Sequence, residues 1–333
     1  MCKGKYVIEE FTEKKYHYNE EGEIDEVVNL IDCWDQILYV ILFNRDIDIV
    51  DFFCGDINPE FYEYEEQFGL RRLEENVNRY FAINKIEKTK KSSYIDIIQK
   101  NLKKGLPVAM ITMFDMLPNY DWYEEGIIGN HNGHSNMIVG YDEAALYVID
   151  SPLVFVQERD KEWERNKSIH LIEKKYVEKA LEVYCDLKTI QYIGNFIDEG
   201  FTEKLKRMEY NYWNGCNVGR KAIERYIEKI KKVSQEVIYT NLYEMHLVYA
   251  RHQLLYLYLQ KHFGKIEKWK DVIDSIQQCS EQWFVLKMLI QRQGTIVESE
   301  FVERTVLQLK RIMSYEDKFF NIVSDLLNDK LAE

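Results

Sequence analysis

Residues 131–152, HNGHSNMIVGYDEAALYVIDSP, decide how this chain folds. They read as two β-strands around a turn. His134 opens the first strand, and Met137 to Val139 form its apolar run. Gly140-Tyr141-Asp142-Glu143 make the turn, Leu146 to Ile149 form the second strand, and Asp150 closes it. In an antiparallel hairpin the start of one strand lies near the end of the next. A carboxylate can thus stand beside an imidazole, as a general base and its orienting group require. A nucleophile is then expected upstream at a helix start. Cys33 fits, within NLIDCWDQILYVIL at residues 29–42.

Cysteine attacks as its thiolate, which the unpaired N–H groups and dipole of a helix start favour. Cys33 follows Asp32, a residue suited to capping. An imidazole within reach takes the thiol proton and later returns a proton to a leaving group. Asp150 would hold the tautomer and orientation of His134. Taken singly, a cysteine in apolar surroundings is usually core, and a histidine at a strand start is usually structural. The ordered conjunction of helix-start Cys, strand-start His and strand-end Asp favours the reactive reading. His131 competes with His134, but it sits in the loop Asn130-His131-Asn132-Gly133 and suits substrate binding better. Cys54 competes as nucleophile from what reads as a buried helix end, and Cys216 from a turn.

Working outward, helical segments are expected at about 32–44, from about 47, and at 93–104, the last stopped by Gly105. Residues 59–69 are aromatic-rich and read as extended. Leu106 to Met113 reads as a buried strand. A strand at 169–172, a helix at 173–183 and a strand at 187–194 complete an α+β pattern with an antiparallel sheet. The prolines stand at 59, 107, 118 and 152, and none follows. Proline breaks helix interiors, so the later tract can be helical throughout. Candidate helices are 202–210, 217–234, 236–262, 267–277, 280–293, 297–313 and 315–331. The expected division is a catalytic domain over 1–198 and an all-α domain over 199–333.

Composition narrows the function classes. The 333 residues suit two domains, and 46% apolar content is ordinary for a packed core. A net charge of −13 argues against wrapping a phosphate backbone. It would suit a cationic small molecule. The first residues, MCKGKYVIEEF, lack the apolar core of a signal peptide, and no apolar run is long enough to span a membrane. Six scattered cysteines without a CxxC pair read as reduced thiols of a cytoplasmic protein. No dinucleotide, P-loop or metal motif is present, so no bound cofactor is expected.

The ordered set Asp32-Cys33-Trp34 with its aliphatic helix, Gly105-Leu106-Pro107-Val108, Asp115, Leu117-Pro118, Tyr120, His134 to Asp142 and Tyr147 to Ser151 resembles the N-terminal domain of the butirosin-biosynthesis acyltransferases. The likeness covers roughly residues 25–195. It implies a papain-like, C39-peptidase-like fold with a Cys33, His134 and Asp150 triad. It also implies acyl transfer in thiotemplated natural-product biosynthesis. An acyl group would arrive as a thioester on the phosphopantetheine arm of a carrier protein, pass to Cys33, and leave as an amide with an amine, such as a diamine. Papain-type enzymes carry an oxyanion-hole Gln six residues before the cysteine; here that position is Val27. Asn29 and the Cys33 backbone N–H are the candidate substitutes. Asp115, Tyr120 and His131 are the candidates for lining the substrate pocket. The alternative expectation is a cysteine peptidase or amidase that hydrolyses a peptide or amide.

Overall fold

The computed structural model describes residues 5–11, 16, 27, 30–64, 67–88, 92–113, 116–117, 133–150, 169–196, 200–292 and 297–331. The strands are β1 (Tyr6–Val7), β2 (Pro59–Tyr64), β3 (Gln67–Arg72), β4 (Phe81–Lys85), β5 (Val108–Met113), β6 (Gly133–Tyr141), β7 (Ala145–Ile149), β8 (Ile169–Glu173) and β9 (Asp186–Tyr192). The helices are α1 (Cys33–Phe43), α2 (Ile49–Phe53), α3 (Glu75–Tyr80), α4 (Tyr94–Leu102), α5 (Lys174–Val183), α6 (Phe201–Asn214), α7 (Arg220–Ile230), α8 (Gln235–Tyr239), α9 (Leu242–Phe263), α10 (Lys270–Gln291) and α11 (Glu298–Leu331). The chain is therefore mixed α/β, with an antiparallel sheet and a C-terminal helical region.

Two compact units result, Met1–Ile47 with Asn78–Asn195, and Asp48–Val77 with Phe196–Glu333. The expected division at 198/199 differs from this grouping in residues 48–77. Residues 48–77 belong with the helices, for a packing reason. The β2–β3 hairpin buries Phe61, Phe68 and Leu70 in one core with Ile223, Tyr226, Met245, Val248 and Trp283. Its aromatic face is covered by the helical unit.

In the first unit a seven-stranded sheet runs β4-β9-β5-β6-β7-β8, with β1 paired to β6. β6 is nine residues long. Its first part pairs with β5, as in Thr112↔His134, and its last two residues pair with β1. That overlap corrects the expected turn. Gly140 lies within β6, beside a register irregularity between Ile138 and Gly140. A Cβ on Gly140 would stand 2.5 Å from the Tyr6 carbonyl oxygen, so the close approach of β1 needs glycine. The turn proper is Asp142 to Ala144. Asp142 Oδ1 accepts from the N–H groups of Ala144 and Ala145, each at 2.8 Å. Those backbone bonds, that to Ala145 foremost, hold the Asp142 carboxyl below its ordinary range. Helix α1 buries every residue from Asp35 to Leu42, and α4 begins with a reciprocal Ser93–Asp96 capping box.

The second unit departs from the expected helices in three places. The predicted 236–262 helix is broken between α8 and α9. Thr240 Oγ1 and Asn241 Nδ2 both donate to the Val237 carbonyl, at 2.7 and 3.1 Å, and so compete with the helical ladder. The breaks expected near 279 and 314 are absent. Neither site holds a glycine or proline, and α10 and α11 run unbroken for 22 and 34 residues. No helix among the described residues is long and apolar enough to cross a membrane.

Candidate active site

The β6–β7 register brings the expected residues together. Met137 pairs with Ile149, so Asp150 lies one step past the pair and His134 three residues before Met137. His134 Nε2 stands 2.6 Å from Asp150 Oδ1. Both side chains are almost fully buried, at 3% and 1% exposure. Cys33 is the first residue of α1. The side chain of its N-cap, Asp32, accepts from the Asp35 N–H at 2.6 Å. The Cys33 side chain hydrogen-bonds His134. Because Nε2 faces the carboxylate, Nδ1 is the ring nitrogen left for sulfur.

The electrostatics of His134 follow from this geometry. Burial opposes a charged imidazole. The Asp150 carboxylate, through charge and hydrogen bond, and then Cys33 outweigh it, and the His134 pKa is pushed up to about 10. At neutral pH the pair therefore holds a protonated ring between sulfur and carboxylate.

A hollow of about 180 Å³ adjoins the cysteine. Ile37, Val40, Met137 and Ile149 give it apolar walls, while Cys33, Gln36, Ser135 and Asp150 supply polar groups. Two of its lining residues, and His170 within the field of Asp150, were not anticipated from sequence. Gln36 lies one turn after Cys33 on the same helix face, and its Nε2 donates to the Ile31 carbonyl at 3.3 Å. The i, i+3 spacing could have found it. Ser135 follows His134 directly. His170 stands on β8 opposite Val148. Burial lowers the His170 pKa, against the pull of the Asp150 charge.

Other candidates stand elsewhere. Asn29, Asp115, Tyr120 and His131 lie outside the described residues. Cys54 is buried in the second unit at the C-cap of α2, with Lys204 Nζ 3.5 Å from its sulfur. Cys216 is exposed. Val27 is half-buried. Among the described residues, no group of three or more His, Cys, Asp or Glu side chains could hold a metal ion.

No protein-family model matches this chain, and no curated protein matches it. One solved structure with local likeness is a Bacillus anthracis protein described as a C39-like peptidase. It is 23% identical, with a TM-score of 0.21, over 33% of this chain and 54% of that one. The chain thus spans about half the length of that structure.

Proposed function

We propose that this chain is a papain-like cysteine enzyme that forms an acyl-enzyme on Cys33 and passes the acyl group to an amine. The observation that carries the reading is the buried Asp150–His134 pair with its remaining nitrogen toward a helix-start cysteine. The Cys33 sulfur attacks the acyl carbonyl carbon as a thiolate, its proton already held by His134. A carbon–sulfur bond forms. The donor's bond to the carbonyl then breaks, and its thiolate leaves, taking a proton from the ring as needed. In the second half, the amine nitrogen attacks the acyl-enzyme and gives its proton to His134. The Cys33 thiolate is then restored beside the protonated ring, and an amide is released. Asp150 holds the ring throughout. The Cys33 backbone N–H and Asn29 are the proposed donors to the oxyanion, and Asp115, Tyr120 and His131 the proposed pocket residues.

Three features favour transfer over hydrolysis: the resemblance over residues 25–195, Val27 at the position of the papain glutamine, and the acidity that suits a cationic acceptor. Under this reading the donor is an acyl thioester on a carrier-protein phosphopantetheine arm. Hydrolysis of a peptide or amide is the competing outcome, since water can replace the amine on the same acyl-enzyme. The test is product analysis after incubation with an aryl-acyl thioester, with and without a diamine. Amide as the main product when diamine is present supports the transferase. Free acid in equal amount in both samples establishes a hydrolase instead.

A further inference from the structure

In the second unit, Lys287 on α10 faces α9. Its Nζ stands 3.1 Å from His246 Nδ1. The amine can donate to Nδ1 when the imidazole is neutral and carries its proton on Nε2. The site is also apolar on its flank. The His246 ring stacks on Tyr249 at 6.0 Å, and Tyr249 packs against Phe284 at 5.5 Å. Phe284 lies one turn before Lys287 and is 42% exposed. The amine thus stands at the edge of an open aromatic shelf, within reach of small molecules. Partial burial pulls the Lys287 pKa below its ordinary value. An amine that can pass its proton to a neighbouring imidazole is a nucleophile beside a base.

We propose that Lys287 is an acylation site, its amine taking the acyl group of a small acyl thioester with His246 as proton acceptor. The Nζ lone pair attacks the thioester carbonyl carbon and a carbon–nitrogen bond forms. The carbon–sulfur bond breaks and the thiolate leaves. The proton lost by nitrogen passes to His246 and on to the thiolate. The product is a neutral amide that has lost the lysine charge and can no longer bond His246 as an ammonium. This chemistry needs neither Cys33 nor the proposed transferase activity.

The test uses the full chain carrying Cys33→Ala, incubated at neutral pH with S-acetyl-N-acetylcysteamine and mapped by proteolysis and mass spectrometry. The exposed Lys265 and Lys268 of the same unit are the internal references. Lys287 is expected to acetylate about tenfold faster than either, since its imidazole neighbour can accept the proton that the amine must lose. His246→Gln should bring it down to their rate. Equal rates at all three lysines in the Cys33→Ala protein would overturn the proposal, while leaving acyl-Cys33 formation in the wild type untouched. A Lys287 advantage seen in the wild type and lost with Cys33→Ala would also overturn it, because the acyl group would then come from Cys33. An advantage that survives His246→Gln would remove His246 from the proton path.

Discussion

The two units each bury a histidine–carboxylate pair, and the pairs differ in what surrounds them. His134 Nε2 meets Asp150 at 2.6 Å in the sheet unit, and His252 Nε2 meets Glu316 at 3.2 Å in the helical unit. All four side chains are at most 3% exposed. His252, however, also has its Nδ1 2.8 Å from the Val248 carbonyl, and Trp283 Nε1 donates to the same Glu316 oxygen at 2.8 Å. Both ring nitrogens of His252 face acceptors, so neither can take a proton from a substrate. His134 keeps one nitrogen for Cys33. The nearby cysteines differ in the same sense. Cys279 lies inside α10, where burial and the Glu316 charge keep its thiol pKa well above the ordinary value. Cys33 begins a helix whose first-turn N–H groups favour negative charge. A buried imidazole–carboxylate pair is thus no active site by itself. The third partner, and its place in a helix, make the difference.

The largest separation should come from truncating each pair. Cys33→Ala or His134→Ala should lower acyl-enzyme formation by ~10³-fold or more. His252→Ala should leave acyl-enzyme formation within about twofold. It should also destabilise the helical unit by about 3 kcal/mol, since it strands Glu316 in the core. Urea melts and intact mass on the same samples read both effects. Acyl transfer lost in His252→Ala protein that remains folded would erase the contrast. Asp150→Asn comes next, at roughly 10²–10⁴-fold on the acylation rate, because the imidazole loses the charge that holds its tautomer and stabilises its protonated form. An unchanged rate would mean that Asp150 is structural.

A pH series sharpens the comparison further. The His134 pKa is raised from 6.5 to about 10. Its contribution to stability is therefore complete below about 6.5 and is lost as pH rises through about 10. The acylation rate should fall over the same alkaline range as the ring loses its proton. His134→Gln should flatten the loss of stability between these limits. A wild-type urea midpoint that stays constant from pH 7 to 10 would refute the assignment.

The helical unit should show a smaller effect at a carboxyl. Burial pushes the fully buried Asp56 up to about 7, opposed by Arg251 and Arg207 and aided by Glu75. The folded chain then holds a proton that the unfolded chain releases near 3.8, so stability falls as pH rises between those values. Asp56→Asn should stabilise by about 1–3 kcal/mol at pH 8, while below pH 4 it should be nearly neutral. Destabilisation at pH 8 would show that the charge is needed by its arginine neighbours.

Much of the sheet unit was legible in the sequence because its signals are local. A cap before an apolar helix marks Cys33, and an apolar strand with polar ends marks His134. The β6–β7 pairing that follows fixes Asp150. His170 and Gln36 escaped notice because their importance depends on register and helix face, not on residue type. β4 gave little signal. It is an edge strand whose burial fades from Phe81 to an exposed Asn84 and Lys85, so no strict alternation marks it. The turn was placed too early because Gly140 has a turn-forming residue type. Its actual constraint is the backbone of β1, which lies more than a hundred residues earlier. The assignment of 48–77 to the helical unit was likewise hidden, since only the partners of Phe61 and Phe68 reveal it.

The central claim is that His134 activates Cys33. Alkylation kinetics at neutral pH test it most directly, with iodoacetamide and mass-spectrometric mapping of each cysteine. The account predicts that Cys33, although half-buried, reacts at least about tenfold faster than the exposed Cys216, and that His134→Ala abolishes the advantage while Cys216 is unaffected. Cys33 reacting no faster than Cys216, or keeping its rate without His134, would contradict the claim.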